Sequence, residues 1–413
     1  MDEFAGIDAE APGELQQVVE TEVAPAPQGK DMVGASMAVT IRPVSSRREL
    51  RTFIKLPSRL YRDERNWVAP LLMDVKKRLD RKKNPFFKHA EAQYFLAYRD
   101  GRPVGRISAH VDHSFNSFQD NKWGLFGWFE CEDDVEVAHA LVDAAEGWLR
   151  ERGRDRMVGP MDFTTNDEIG LLIKGHEYPP IILSPWHHPY YQRLFEQELG
   201  MVKAMDAYMW SLHVTGRDNV HPAIWEAAEK VEIEHGIICR NFRKKELQQE
   251  VTRFLEVYNT AWERNWGFVP LSEAEVRHYA KDLKPVLDEN WSMIAERKDT
   301  GEVVGAALTL PDYNQVLARL NGRLLPFGWI TALRNKSKID AVRVIVLGVK
   351  PEYRHTGVAA RFYQMHFDAA ERTPQKTGEG GWTLEVNEAM NRAYEGMGGE
   401  IKRCYRIYER LLS

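Results

Sequence analysis

Cysteine is scarce. The 413-residue chain has three, Cys131, Cys239 and Cys404, far apart in sequence. They form neither a disulfide framework nor a zinc set, which fits a reducing compartment. The uninterrupted apolar run of about 18 residues that a membrane-spanning helix needs is also missing. So is a basic surplus: 56 Lys and Arg stand against 61 Asp and Glu, a net charge of -5. A dedicated nucleic-acid binder would usually be basic. The opening residues, MDEFAGIDAE, are acidic and lack the basic-then-apolar order of a secretory signal. These absences predict a soluble, cytoplasmic protein without nucleic acid or metal, and leave contact with a membrane surface open.

What is present supports a large core, since 43% of residues are hydrophobic and 11% aromatic. Residues 1–38 are the exception. They are rich in Ala, Pro, Gln and acids, a composition that cannot offset ordering entropy, and predict a disordered tail. After it come two blocks on one plan. QYFLAYRDGRPVGRISAHV and WSMIAERKDTGEVVGAALTL each read as a hairpin, turning at Asp100-Gly101 and at Thr300-Gly301. Each is followed by an apolar strand (WGLFGWFE; AVRVIVLGV), a helix, a short strand (RMVGPM; GWTLEV), a tyrosine-bearing helix and a last β-like run. A repeat of this length predicts duplicated α/β domains with mixed sheets, over 39–213 and 214–413. The join falls in TGRDNVHP, where turn formers cluster.

The second block carries the chemical signal. VIVLGVKPEYRHTGVAARFYQ reads as strand, loop and helix. A helix N-terminus has unpaired N–H groups and attracts phosphate. Gly357 removes a side chain, Ala359 keeps the next face small, and Arg354 and His355 could add side-chain contacts to an anion. An ordinary strand-to-helix turn is the competing reading of this short pattern. The downstream LEVNEAMNRAYEGMGGEI adds Asn387, Tyr394 and Gly398.

Together the two stretches resemble the GCN5-related N-acetyltransferase (GNAT) superfamily. Its pyrophosphate loop, Arg/Gln-x-x-Gly-x-Gly/Ala, is matched by Arg354, Gly357 and Ala359. Its later Asn, Tyr and Gly are matched by Asn387, Tyr394 and Gly398; Gly399 stands where the superfamily usually has Phe. The resemblance implies tandem GNAT-like domains, each a mostly antiparallel sheet with a splayed strand pair flanked by helices. It implies acyl-CoA as cosubstrate, held by the loop residues Arg354, His355, Thr356, Gly357, Val358 and Ala359. Leu347, Gly348 and Val349 would offer backbone groups to the pantetheine arm, Asn387 would contact it, and Tyr394 would protonate the departing thiolate. Acyl transfer to an amine also needs a proton acceptor. Glu385, two residues before Asn387, is the candidate base, with a solvent-facing strand carboxylate as the competing reading. A glutamate at Gly357 is expected to abolish cofactor binding and leave the fold intact.

The first block lacks the loop signature. WFECEDDVEVAHAL crowds Glu130, Glu132, Asp133 and Asp134 at the helix start, where they would repel a diphosphate. Asp162, Thr164, Asn166, Asp167 and Glu168 read equally as a polar headgroup pocket or as a capped loop. His187 and His188 lack further partners at metal-site spacing. In the second block NQVLARLNGRLLPFGWITALRNKSK is an apolar insertion dotted with Arg and Lys, suited to a membrane surface, an alkyl-chain cover or simple core packing. NPFFKHAEAQYFLAYRDGRPVGRISA, FGWFECEDD and GPMDFTTNDEIGLL resemble a two-lobed bacterial subfamily that includes the bacterial ceramide synthases. That resemblance implies fatty acyl transfer to the amine of a sphingoid-type lipid; the insertion leaves open a peripheral contact at the cytoplasmic face of the inner membrane. A small-amine acetyltransferase and a non-catalytic acyl-CoA-binding protein are the alternatives. Oligomeric state is not legible.

Overall fold

A computed structural model describes residues 38–412 except 214–216 and 219. Residues 1–37 of the expected tail and the centre of the turn-rich join thus lie outside the described residues. From Ala38 onward the chain forms one compact unit.

Among the described residues thirteen strands follow in chain order. The first seven are β1 (Thr40–Pro43), β2 (Ala90–Arg99), β3 (Arg102–Asp112), β4 (Trp123–Cys131), β5 (Arg156–Gly159), β6 (Leu171–Lys174) and β7 (Val202–His213). The others are β8 (Ile237–Asn241), β9 (Ser292–Arg297), β10 (Val303–Pro311), β11 (Ala341–Val349), β12 (Thr377–Leu384) and β13 (Glu400–Leu411). The sheet order is β1-β2-β3-β4-β5-β13-β7-β12-β11-β10-β9-β8, with β6 pairing β13 off that path.

The order exposes an exchange. The last strand of the first half, β7, lies against β12 of the second half, and the chain's last strand, β13, lies against β5 of the first. β7 and β13 also pair with each other, antiparallel. Two five-strand arms therefore meet at a crossed seam, and neither half completes its sheet alone. Among the described residues only β4–β5 and β11–β12 pair in parallel.

Local chemistry places these elements. Asp100 and Gly101, between β2 and β3, both have positive φ (52° and 72°), as a two-residue hairpin turn requires. Helix Val135–Arg150 is capped by Asp134, whose carboxylate accepts from the Val137 N–H. Its Val137, Leu141, Val142 and Leu149 recur at helical spacing and are fully buried against β3 and β4. Helix Val358–Arg372 does the same for the second half, with Val358 and Phe362 packed on Met293, Val304 and Ala307. On the opposite face of that half lie helices Leu247–Ala261 and Glu273–Leu283. The insertion at 314–338 folds as helix Asn314–Leu317 and helix Gly328–Asn335 joined by turns.

Candidate active site

Each half opens its parallel strand pair. In the first, the ladder runs from Trp123↔Arg156 to Leu125↔Val158 and stops. In the second, it runs from Ala341↔Thr377 to Val344↔Gly380 and stops. Beyond that point β11 keeps only its β10 neighbour, and a bulge between Leu308↔Val346 and Thr309↔Val344 leaves Ile345 as the extra residue.

Tyr394 sits at the vertex of the second opening. A Cβ on Gly380 would collide with the Tyr394 hydroxyl, so this glycine makes room for it. The Tyr394 ring is buried and stacks on Trp210 at 5.7 Å. Burial, and then the neighbouring Tyr363, push its pKa up, while a hydrogen bond with Thr383 opposes them. A phenol held protonated in this way is a proton donor at neutral pH.

On the other face of the opening lies a cavity of about 670 Å³. Ile345 and Val346 of β11 and Trp382 and Leu384 of β12 form its wall at the splay. Phe254, Tyr258 and Trp262 line it from one helix at a spacing of four residues, with stacked neighbours at 5.8 and 5.1 Å. Gly348 is side-chain-free because the Trp262 ring lies where its Cβ would be. The first half contributes Trp67, Val75, Arg78, Trp128, Glu130 and the loop after β5. The insertion adds Val316, Leu317, Leu320, Leu324 and Ala332. Arg343, 1% exposed, ties β11 to the first half by donating to the Ile182 and Leu183 carbonyls.

The loop singled out in the sequence lies outside that cavity, on the face of helix Val358–Arg372. Residues Pro351–Thr356 form a 3-10 turn, and Gly357 is the N-cap at φ 81°. No side chain caps this helix. Arg354 and His355 are exposed. Arg354 donates to the Ala261 carbonyl at 3.0 Å, and His355 meets His235 edge-on. Thr356 donates to the Tyr353 carbonyl, and Val358 is fully buried. Ala359 is partly buried beside it. A Cβ on Gly357 would lie 2.5 Å from the Ala227 carbonyl oxygen of helix Pro222–His235. The expectation that a glutamate there leaves the fold intact is therefore corrected: that backbone is already packed on a helix.

Along β11, Leu347 and Val349 pack toward helix Val358–Arg372 and Gly348 toward Trp262. Asn387 caps helix Glu388–Gly396, accepting from the Met390 N–H at 3.3 Å. Glu385 is not in the cavity wall. Its carboxylate accepts from Lys203 at 2.6 Å and from the Asp206 N–H at 3.1 Å, so its partners are those of a structural ion pair. His366 is a packed helix residue, bonded to Thr309 and the Phe362 carbonyl and held neutral by burial, with its pKa lowered to about 4. His187 accepts from the Leu172 N–H, and His188 stacks on Tyr61 and Tyr190. Among the described residues no three His, Cys, Asp or Glu side chains group as metal ligands, and no helix is long and apolar enough to cross a membrane.

Sequence reasoning did not pick out the Phe254-Tyr258-Trp262 ladder or Tyr279. The signal was available: three aromatics four apart give one helical face.

Two opened parallel pairs in one chain, the second with a tyrosine at its vertex, define a tandem GNAT fold. A tandem GNAT protein from the clavulanic acid biosynthesis pathway superposes with a TM-score of 0.55 over 91% of this chain and 99% of its own, at 11% identity. A GCN5-related N-acetyltransferase from Sphaerobacter thermophilus does so at 0.51 over 91% and 96%, at 15% identity. No family model matches the sequence. Full-length relatives do. The bacterial ceramide synthase of Caulobacter vibrioides is 39% identical over 389 residues, covering 92% of this chain and 99% of that protein. Protein YghO of Escherichia coli is 34% identical over 378 residues, covering 90% and 95%. The chain belongs to the family of the bacterial ceramide synthase.

Proposed function

We propose that the protein is an acyl-CoA-dependent N-acyltransferase that moves a fatty acyl group onto the amine of a sphingoid-type lipid. One observation carries this reading: the β11/β12 opening has the Tyr394 hydroxyl at its vertex on one face and a large, mostly apolar cavity on the other. A thioester lying through such an opening would reach an amine presented from the cavity.

The residues present fit an acyl-CoA. The unpaired edge of β11 over Leu347, Gly348 and Val349 offers amide and carbonyl groups to a pantetheine arm. The uncapped N-terminus after Gly357, with Arg354 and His355 exposed beside it, suits a diphosphate. Bound there, acyl-CoA supplies an activated acyl carbon. In the transfer the amine nitrogen bonds to that carbon, the C–S bond breaks, and the proton lost by the nitrogen passes through solvent to restore the Tyr394 hydroxyl. Tyr394 gives its proton to the departing sulfur. The wall groups Trp67, Leu283, Val286 and Leu317 keep alkyl chains from water, at about 0.8 kcal/mol per buried CH₂.

The insertion accounts for access of a lipid. Residues 314–338 contain five cations, Arg319, Arg323, Arg334, Lys336 and Lys338, and no acid, in a chain of net charge -5. While its inner face lines the cavity, its outer face exposes Leu325 (71%), Phe327 (73%), Trp329 (47%) and Leu333 (66%). We read this as a peripheral contact with an anionic bilayer surface, through which a lipid amine enters.

Purified protein mixed with long-chain acyl-CoA and a long-chain amino-alcohol tests the reading. It predicts free thiol release matched by an amide product identified by mass. Tight acyl-CoA binding with no thiol release from any amine would overturn it and leave a binding protein. Release with short acetyl donors and small amines alone would leave the small-amine alternative.

A further inference from the structure

The first half's own opening has become a wall of the cavity, and its charges are unbalanced. After β5 the chain turns back into the gap that β4 and β5 leave. The Met161 N–H donates to the Phe126 carbonyl at 2.7 Å, and the Trp128 N–H donates to Asp162 Oδ1 at 2.8 Å. This plug carries Asp162, Asp167 and Glu168 to the cavity surface, beside Glu130 of β4. Arg78 faces three of them, at 4.0 Å from Asp162, 3.7 Å from Asp167 and 3.2 Å from Glu168. Arg106 faces Glu130 at 3.8 Å. Four carboxyl groups thus answer two guanidinium groups in a largely buried setting. From the second half, Tyr279 donates to Asp167 at 3.4 Å and Tyr258 to Asn166.

A second observation points to a missing ligand. Trp128 and Arg106 both line the cavity, at 6% and 5% exposure, and the Trp128 Nε1 and Arg106 Nε donors have no partner among the described residues. Buried donors left unpaired are costly. The Trp128 ring lies between the two guanidinium groups, 4.9 Å from Arg78 and 5.5 Å from Arg106.

We infer that this pocket, built by the half without a cofactor loop, holds the polar head of the acceptor: Asp162, Asp167 and Glu168 take its ammonium, and Trp128 takes an oxygen substituent next to the amine. An ammonium supplies the positive charge the cluster lacks, a hydroxyl or carbonyl oxygen supplies the acceptor Trp128 lacks, and the apolar wall takes the tail. Burial supports the charge argument. It raises Asp162 to about 7 and Asp167 to about 6, with Glu168 adding to both and Arg78 opposing. Such carboxyls gain most from a cation that arrives with the substrate. The assignment deepens the acyltransferase reading and rests on it for the acceptor being an amine.

Calorimetric binding of a long-chain 2-amino-1,3-diol, and of the plain alkylamine of equal length, to the full chain tests it without turnover. Asp162→Asn and Asp167→Asn are expected to weaken both amines about tenfold or more, the loss of a charged hydrogen bond, with acyl-CoA affinity held. Trp128→Phe removes the indole N–H together with the pyrrole half of the ring, and keeps an aromatic ring between the two guanidinium groups. It is expected to weaken the amino-diol severalfold and leave the alkylamine unchanged. If both carboxamide variants bind the amines like wild type, the assignment is overturned. If they lose the amines while the wild type binds them yet releases no thiol from acyl-CoA, the pocket stands and the acyltransferase reading falls.

Discussion

The two halves share one plan and treat its central opening in opposite ways. In the first, the gap between β4 and β5 is filled by the chain itself, through Met161 and Asp162, and Gly127 is bare because the Met161 carbonyl occupies its Cβ position. The helix that follows is capped by Asp134, while Glu132 pairs with Arg59 and Arg102 and Asp133 with Arg193. In the second, the gap between β11 and β12 has no such plug, the following helix has no side-chain cap, and its mouth carries Arg354 and His355. The same plan is thus closed in one half and open in the other. With its opening plugged, the first half contributes walls to the cavity; in the proposed reading the other copy activates the acyl group there.

The largest expected break comes at the vertex. Tyr394→Phe should lower the thiol-release rate about 10²–10⁴-fold, the usual worth of a positioned proton donor, and leave acyl-CoA affinity intact. Next, Arg354→Glu gives the second half an acid at its helix mouth, like those of the first. The side chain is exposed, so melting should hold while acyl-CoA affinity falls about 10–100-fold in calorimetry. Third, Phe327→Asp with Trp329→Asp should lower binding to anionic vesicles about tenfold or more in flotation, and added salt should weaken wild-type binding. Each basic residue near the surface contributes about 1 kcal/mol.

The smallest effect is on stability. Asp162 and Asp167 have folded pKa values above the ordinary 3.8, at about 7 and about 6, so the fold holds their protons more tightly than the unfolded chain does. Their contribution is present in full below the unfolded value and is lost as pH rises through about 6 and then 7. Facing groups are Glu168, Arg78, Arg106 and Glu130 on the first half, and Tyr258 and Tyr279 on the second. A bound long-chain amine should therefore raise the melting temperature more above that window than below it.

Much of this was legible in the sequence. Period-two alternation and the Asp100-Gly101 turn place β2 and β3, and helical spacing places Val135–Arg150, because these signals are local. The order of elements in the two blocks also carries over. The crossed seam does not, since β7 and β13 are both long, half-buried strands and nothing local says which β-arm each joins. The motif singles out Tyr394, which lies at the β11/β12 vertex; its role as proton donor is the proposal put to the test above. Glu385 was legible only as a strand-end carboxylate, a pattern that shows neither its face nor its partner: Lys203 lies 182 residues away. Asp162 was ambiguous for a related reason, as its meaning depends on Arg78, Trp128 and the far wall of a cavity built from both halves.

Amide hydrogen exchange with and without a non-hydrolysable acyl-CoA measures both openings at once. We expect protection confined to residues 346–349 and 356–359, with no change over 126–135. Protection over 126–135 alone, or in neither region at saturating ligand, would contradict the assignment of acyl-CoA to the second opening.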